Sequence, residues 1–231
     1  MKTLGIVGGI GPESTIDYYR SLIAAWQRAK QDGSYPRIII HSVEAQSLMG
    51  LFAAGDWTRA AETLIAAVRS VASAGADVAL IAANTPHMVF AEVSGAASIP
   101  MISIVEETCR AARSHGVQRP ALFGTRYTMQ ASFYPDAFGR DGMTIVLPSP
   151  EEQELIHDIY FNELVRGVFL DESRAKLESI VAAMKERDAI DALILGGTEL
   201  PLLLGESSYS GVRVLDTTRI HVDAAIRALL A

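Results

Sequence analysis

The sequence predicts an α/β protein made of two related halves, each a parallel sheet flanked by helices. Short apolar runs rich in β-branched residues alternate with longer helical patterns along the 231 residues. Gly and Pro mark most of the junctions, and no low-complexity linker divides the chain. The segment 76–85 is echoed by the segment 190–199, at a spacing close to half the chain. We therefore predict two pseudo-symmetric, doubly wound parallel-sheet domains with the site between them.

The apolar runs and the helical periodicity define the individual elements. The predicted strands are 4–8, 37–42, 77–82, 100–104, 120–124, 143–147, 191–196 and 212–216. The predicted helices are 13–30, 56–74, 86–95, 105–115, 152–167, 171–187 and 217–230. Two further echoes join the first: Val7-Gly8-Gly9 corresponds to Phe123-Gly124-Thr125, and Ile102-Ser103 corresponds to Leu215-Asp216. Four strands thus recur in the same order in each half, which favours a duplication.

Composition excludes several classes of protein. The net charge is −7 and the basic residues are scattered singly, so we expect no nucleic-acid partner. Cys109 is the one cysteine, which excludes an internal disulfide and a Cys-rich metal site. The N-terminus lacks the pattern of a signal peptide, and no apolar run reaches the roughly 18–20 residues that span a bilayer. We therefore expect a cytoplasmic protein without a membrane partner.

Ligands of open parallel sheets bind beyond the carboxyl ends of the strands, so the residues there are the candidates. After the first predicted strand the chain reads Gly8-Gly9-Ile10-Gly11, followed by Ser14 in the next helix. This segment matches neither the dinucleotide-binding glycine pattern nor the phosphate-binding loop that ends in Gly-Lys-Ser/Thr. The sequence therefore does not favour a nucleotide.

A set of polar side chains follows the other strands. Its members are Asn84, Thr85, Thr125 and Thr198. Taken singly, each is more typical of a helix cap. Taken together at symmetric strand ends, their hydroxyl and amide groups, with the N–H groups of helix starts, indicate a site for a small carboxylate.

At these residues the chain resembles the aspartate/glutamate racemase family, nearly from end to end. The motifs are LGIVGGIGPEST at 4–15, IAANTPH at 81–87, GTRYTM at 124–129 followed by Phe133-Tyr134, ILGGTELPLL at 194–203 and LDTTRIH at 215–221. The resemblance implies a cofactor-independent isomerase that acts at the α-carbon of an amino acid, without a metal. It also implies a homodimer, and a last helix that returns to the first domain. The first domain is then 1–103 plus 217–231, and the second is 104–216.

The chain departs from the family at both catalytic cysteines. The position of the first cysteine is Ala83 here, and that of the second is Gly197. Neither residue can carry a proton, so the two-thiol mechanism does not transfer to this chain. Cys109 lies on the apolar face of a predicted helix, where a cysteine is usually core filler.

The remaining candidates for proton transfer are Glu199, two residues beyond the second cysteine position, and His87, one helical turn past the third strand. Glu13 is a third candidate, although its place at a helix N-terminus is more typical of capping. A packing histidine and a carboxylate bonded to backbone N–H groups are the alternatives. The substrate contacts that the resemblance implies are Ser14, Asn84, Thr85, Thr125, Thr128 and Thr198.

These residues favour an enzyme of the racemase and epimerase type that acts on a small amino or carboxylic acid without thiols. Two alternatives stay open. One is a protein that binds amino acids or carboxylates and has lost catalysis. The other is a decarboxylase or lyase of the same superfamily, because loss of a carboxyl group creates the carbanion without a base and then needs only one proton donor.

Overall fold

Four parallel strands form the sheet of the first unit, residues 1–104 and 221–231, in this computed structural model of residues 1–231. They are β1 (Thr3–Gly8), β2 (Arg37–Ser42), β3 (Val78–Ile81) and β4 (Met101–Ile102), in the order β2-β1-β3-β4. The central strands β1 and β3 are almost wholly buried, whereas β2 is partly exposed at the edge. Parallel strands need crossover connections, which the helices of this unit supply.

The helices of the first unit cover both faces of its sheet. They are α1 (Pro12–Lys30), α2 (Ala45–Ala54), α3 (Trp57–Ser73) and α4 (Phe90–Ala96), with a 3₁₀ helix at Thr85–Val89. Successive side chains of a strand point to opposite faces, so β1 contributes Ile6 to one apolar cluster and Val7 to another. The cluster of Val7 includes Leu64, whereas the cluster of Ile6 includes Trp26 and, from the last helix, Ile226.

The second unit, residues 105–220, contains the second sheet. Its strands are β5 (Pro120–Gly124), β6 (Ala192–Gly196), β7 (Ser208–Tyr209) and β8 (Val212–Asp216), in the order β5-β6-β8-β7, with only β7 antiparallel to its neighbour. Its helices are α5 (Ile104–Ser114), α6 (Arg126–Gln130), α7 (Phe133–Arg140), α8 (Pro150–Asn162), α9 (Asp171–Asp188) and α10 (Leu200–Leu203), with a 3₁₀ helix at Leu164–Arg166. Phe123, Ile156, Leu177 and Leu195 belong to its main apolar cluster. The last helix, α11 (Thr217–Leu230), begins in this unit, and most of it belongs to the first unit.

The predicted strand 143–147 is reduced to a single parallel bridge between Ala121 and Val146. The Leu122 N–H donates to the Val146 carbonyl at 3.1 Å, and the Val146 N–H donates to the Pro120 carbonyl at 2.9 Å. This segment is the second predicted strand of its half of the chain, and it lies beside β5, the first. The predicted strands of each half therefore lie in the same order across their sheet: second, first, third, fourth. The α/β class and the two parallel-dominated sheets are confirmed.

Several short elements were not predicted from the sequence: α2, α6, α7, α10 and β7. The β7–β8 hairpin turns at Ser210 and Gly211, which both have positive φ, at 50° and 75°. That conformation suits a two-residue hairpin loop and is rare for serine, so the sequence carries no strong signal for it.

Among the helices, none combines the length and the apolar character that crossing a bilayer requires.

Candidate functional site

The turn after β1 is held by a hydroxyl of α1. The Gly9 N–H donates to the Thr15 Oγ1 at 2.8 Å, and Gly9 has a φ of 82°, which favours glycine. Ser14 is fully buried, and its hydroxyl donates to the Ala82 carbonyl at 3.3 Å. Ser14 therefore ties the start of α1 to the residue after β3. Its predicted contact with a substrate stays a prediction.

The carboxyl end of β3 leads into a buried polar stretch. Ala83, Asn84 and Thr85 are all buried, and Asn84 is the residue before the 3₁₀ helix at Thr85–Val89. The Asn84 carbonyl accepts the His87 N–H at 2.9 Å, which closes the first turn of this helix. The strand end thus presents an amide and a hydroxyl beside a methyl group at position 83.

His87 uses both ring nitrogens inside the first unit. Its Nδ1 lies 3.1 Å from the Ala83 carbonyl, and its Nε2 lies 3.2 Å from the Ile104 backbone nitrogen. A carbonyl only accepts and a backbone N–H only donates, so Nδ1 carries the hydrogen and Nε2 accepts. Burial, followed by the proximity of His221, lowers the pKa of His87 to about 3. His87 is therefore a neutral histidine that joins two backbone segments.

Thr125 and Thr128 organise the turn between β5 and α6. The Thr125 Oγ1 accepts the Thr128 N–H at 3.1 Å and lies 3.2 Å from the Thr128 Oγ1. Both residues are buried. A Cβ added at Gly124 would lie 2.8 Å from the Gly196 carbonyl and 3.1 Å from the Thr128 Cγ2, so a side chain there would not fit. Thr125 is a helix cap in this structure, as the alternative reading of the sequence allowed.

The carboxyl end of β6 holds a buried carboxylate. Glu199 is only 2% exposed, and Thr198 beside it is 4% exposed. The hydroxyls of Thr198, at 3.0 Å, and of Tyr160 both donate to the Glu199 Oε2. The Glu199 side chain does not cap α10, although it directly precedes that helix. Its carboxylate instead accepts hydrogen bonds from two hydroxyls at the carboxyl end of β6. Ligands of open parallel sheets bind at such strand ends.

Tyr160, on α8, is the residue of this site that the sequence did not reveal. A Cβ added at Gly197 would overlap the Tyr160 Cε2 and would lie 3.1 Å from its Cζ and 3.2 Å from its hydroxyl oxygen. The phenol ring therefore fills the space that a side chain at position 197 would need. One sequence signal could have indicated such a neighbour. Protein interiors are close-packed, so a glycine where the family has a side chain leaves space that another residue must fill.

Cys109 lies away from these strand ends. Its thiol contacts the Ala137 carbonyl at 3.6 Å and the Asp141 carboxylate at 3.4 Å. Burial, followed by the hydrogen bond to Asp141, raises the pKa of this thiol to about 11, so it stays protonated near neutral pH. This environment suits core filler. No group of three His, Cys, Asp or Glu side chains in the chain is placed to hold a metal ion.

Comparison with known proteins gives a consistent result along the chain. A family model described as Asp/Glu/Hydantoin racemase matches residues 7–225. The broad specificity amino-acid racemase RacX of Bacillus subtilis (strain 168) is 23% identical over 238 residues, which cover 99% of this chain and 98% of RacX.

Two solved structures are similar over the full length of both chains. A candidate Asp/Glu racemase from Yersinia pestis is 32% identical, with a TM-score of 0.90 and 100% of each chain covered. An aspartate racemase homologue from Pyrococcus horikoshii OT3 is 33% identical, with a TM-score of 0.86 and the same coverage.

Proposed function

The chain belongs to the Asp/Glu/hydantoin racemase family, as its motifs predicted, and on this premise we propose that it is an enzyme that moves a proton at the α-carbon of a small amino or carboxylic acid. The reaction proceeds without a thiol, because Ala83 and Gly197 stand at the cysteine positions that the resemblance implies. It also proceeds without a cofactor. The homodimer that the resemblance implies and the cytoplasmic location expected from the sequence pattern are part of the same proposal.

One observation carries this proposal: the buried Glu199 carboxylate, two residues past the second cysteine position and bound by the hydroxyls of Tyr160 and Thr198. Burying a polar group without a hydrogen bond costs roughly 2–7 kcal/mol. Burying a charged carboxylate costs more than this unless hydrogen bonds compensate. A carboxylate kept at a strand end despite this cost is a candidate general base.

The α-proton of an amino acid is very weakly acidic, so a base alone does not suffice. The site must also stabilise the negative charge that develops on the substrate, through aimed hydrogen-bond donors in a place shielded from water. We assign this role to the polar residues of the strand ends. They are Asn84, Thr85, Thr125, Thr128 and Thr198, which are all buried, with the turn that holds Ser14.

The test is exchange of the α-proton in deuterium oxide. Each proteinogenic amino acid, in both enantiomers, is incubated with the protein, and loss of the α-proton signal is followed by proton NMR. We expect exchange with at least one of them, and a loss of that exchange in Glu199→Gln. Glu206→Gln, a change at an exposed carboxylate in the segment that follows α10, should exchange like the wild type. An absence of exchange with every amino acid would reject this proposal.

A decarboxylase or lyase is the second candidate, and the environment of His87 favours it. Racemisation needs proton carriers on opposite faces of the α-carbon, whereas decarboxylation needs one proton donor. Ala83 has only a methyl group, and both ring nitrogens of His87 are engaged with backbone groups. Release of carbon dioxide from an amino acid or another small carboxylic acid, without α-proton exchange, would favour this candidate. Thermal stabilisation by these compounds without any turnover would favour a binding protein.

A further inference from the structure

Tyr160 lies where the family resemblance places a catalytic side chain. Its hydroxyl oxygen is 3.2 Å from the point where a Cβ of residue 197 would be, and residue 197 directly follows β6. The carboxyl end of a parallel strand is where open α/β sheets bind their ligands. Gly197 therefore does more than remove a thiol. Because it has no side chain, it leaves room for the Tyr160 hydroxyl at the position where the family's second cysteine is expected.

We propose that the Tyr160 hydroxyl is the catalytic group that takes the α-proton of the substrate in the second unit, and that it passes its own proton to Glu199. This inference rests on the proposed function and deepens it. Glu199 acts through Tyr160 in this scheme, so Glu199 is a positioning residue and the terminal proton acceptor rather than the group that touches the substrate.

The step balances as a proton relay. The bond between the α-carbon and its hydrogen breaks, and the proton forms a bond with the Tyr160 hydroxyl oxygen. In the same step the original O–H bond of Tyr160 breaks, and that proton moves to the Glu199 Oε2, which already accepts its hydrogen bond. The electron pair of the broken C–H bond stays on the substrate and is shared with its carboxyl group. After the protons on Tyr160 and Glu199 exchange with water, transfer back along the same route restores both residues and leaves a solvent-derived hydrogen on the α-carbon.

The surroundings of Tyr160 favour a relay over a free phenolate. Burial, followed by the negative charge of Glu199, raises the pKa of Tyr160 well above its usual value of 10. A phenolate is therefore costly, and a relay never forms one, because Tyr160 is neutral before and after the step. The carboxylate carries the proton in the intermediate, and the Thr198 hydroxyl steadies it from the other side at 3.0 Å.

Tyr160 is also held rigidly enough for such a role. Its helix α8 begins with a capping box, in which the Ser149 N–H donates to Glu152 at 2.7 Å and the Glu152 N–H donates to Ser149 at 3.3 Å. Arg187 donates to both oxygens of Glu152, at 3.1 and 3.0 Å. The Tyr160 ring packs in the main apolar cluster of the second unit and against Phe161. Catalytic groups need this kind of support to keep their geometry.

The test compares Tyr160→Phe with Tyr134→Phe in the α-proton exchange assay with the proteinogenic amino acids. Each variant removes one oxygen from a buried tyrosine of the second unit and keeps the ring, so both should fold. We expect Tyr160→Phe to lower kcat about 10²–10⁴-fold, the usual contribution of general acid–base catalysis, with KM changed little. Tyr134→Phe should keep the wild-type kcat. Glu199→Gln should match Tyr160→Phe, and the double variant should lose no more than either single one.

A second measurement uses the wild type alone. Release of tritium from an α-tritiated amino acid should be slower in deuterium oxide than in water, because the phenolic O–H bond breaks in the same step. A purely structural Tyr160 would not produce this isotope effect. Exchange by the wild type with an unchanged kcat in Tyr160→Phe, or without the isotope effect, would overturn the relay and leave the proposed function standing. No exchange by the wild type with any of the amino acids would overturn both.

Discussion

The Tyr160 ring fills the space that a side chain at position 197 would need, so a substitution of Gly197 should lower the stability of the fold. A Cβ at position 197 would overlap the Tyr160 Cε2, and the ring cannot move away freely because it is 7% exposed and packed in the core. We therefore expect Gly197→Ala to lower the free energy of unfolding by about 1–3 kcal/mol, the usual cost of overpacking. Urea unfolding of the second unit, followed by circular dichroism, measures it.

Gly205→Ala is the matched control for this change. The added Cβ at position 205 would meet only the Pro201 carbonyl, at an ordinary distance of 3.7 Å, so the free energy of unfolding should stay within about 0.5 kcal/mol. Tyr160→Leu should relieve the overlap, so Gly197→Ala should cost less in that background. Equal effects of Gly197→Ala in both backgrounds would show that the ring does not fill this space.

The same pair explains why the sequence revealed only part of the site. Thr198 and Glu199 follow directly from the end of a strand, so their place at the sheet edge could be predicted. Tyr160 is 39 residues from Glu199 along the chain, and only the packing of α8 brings it there. His87 lay at a strand end as well, but the orientation of its ring depends on two backbone partners that the sequence pattern does not specify.

At the scale of elements, α2 has one glycine inside it and one at its C-terminal cap, and the two should respond in opposite ways. Gly50 lies inside the helix with open space around it, whereas Gly55 ends the helix with a φ of 68°. Alanine favours the helix over glycine by roughly 0.5–1 kcal/mol, so Gly50→Ala should raise the free energy of unfolding by about that amount. Gly55→Ala should lower it by roughly 1 kcal/mol, because a Cβ is disfavoured in the left-handed region.

Urea unfolding of the two variants measures both changes, and each serves as the control for the other because the same residue types are exchanged in the same helix. If both variants shift stability in the same direction, the helix does not end at Gly55 as described. A rise in stability on Gly55→Ala would be enough to reject the left-handed cap.

The elements that the sequence predicted well are the long ones. α3 and α9 repeat their apolar positions over several turns, and the central strands are continuous apolar runs, so each carries its own signal. The missed elements are short, such as α10 with four residues and β7 with two. Segments of this length depend on tertiary contacts more than on their own pattern.

For the whole molecule, the repeat seen in the sequence reappears as sheet topology. In each unit the first predicted strand of that half lies between the second and the third, and the fourth follows the third. The order of strands in space could not be read from the apolar runs, because these do not say which strands pair. The echo between residues 76–85 and 190–199 predicted only that both halves would do the same thing.

The two units also differ in how acid should affect them, because the first unit contains two buried neutral histidines, His87 and His221. The His221 Nε2 donates to the Ile102 carbonyl at 3.0 Å, and its Nδ1 accepts from the Tyr18 hydroxyl at 2.9 Å. Burial lowers the pKa of His221 to about 4, although the Ile102 carbonyl opposes this shift. A proton on the accepting Nε2 of His87 would face the Ile104 N–H, which can only donate.

The direction of the pH dependence follows from these values. An unfolded histidine has a pKa of about 6.5, so between pH 6.5 and 4 the unfolded chain binds more protons than the folded one. Stability of the first unit should therefore fall as pH falls through this window, by up to about 1.4 kcal/mol per pH unit for each histidine. In the second unit, one histidine has a lowered pKa. It is the half-buried His157, whose pKa is lowered by burial and then by the positive charge of Arg126.

Hydrogen exchange can follow the two units separately in one chain. Protection factors of amides in β1 and β3 should drop between pH 6.5 and 4.5 by more than those in β5 and β6, since only the first unit has two such histidines. In His221→Gln, which removes one titrating group, the fall in protection with pH should become shallower for β1 and β3. His115→Gln, at an exposed position, should leave the pH dependence as it is. A parallel loss of protection in all four strands would mean that buried histidines do not set the acid stability of the first unit.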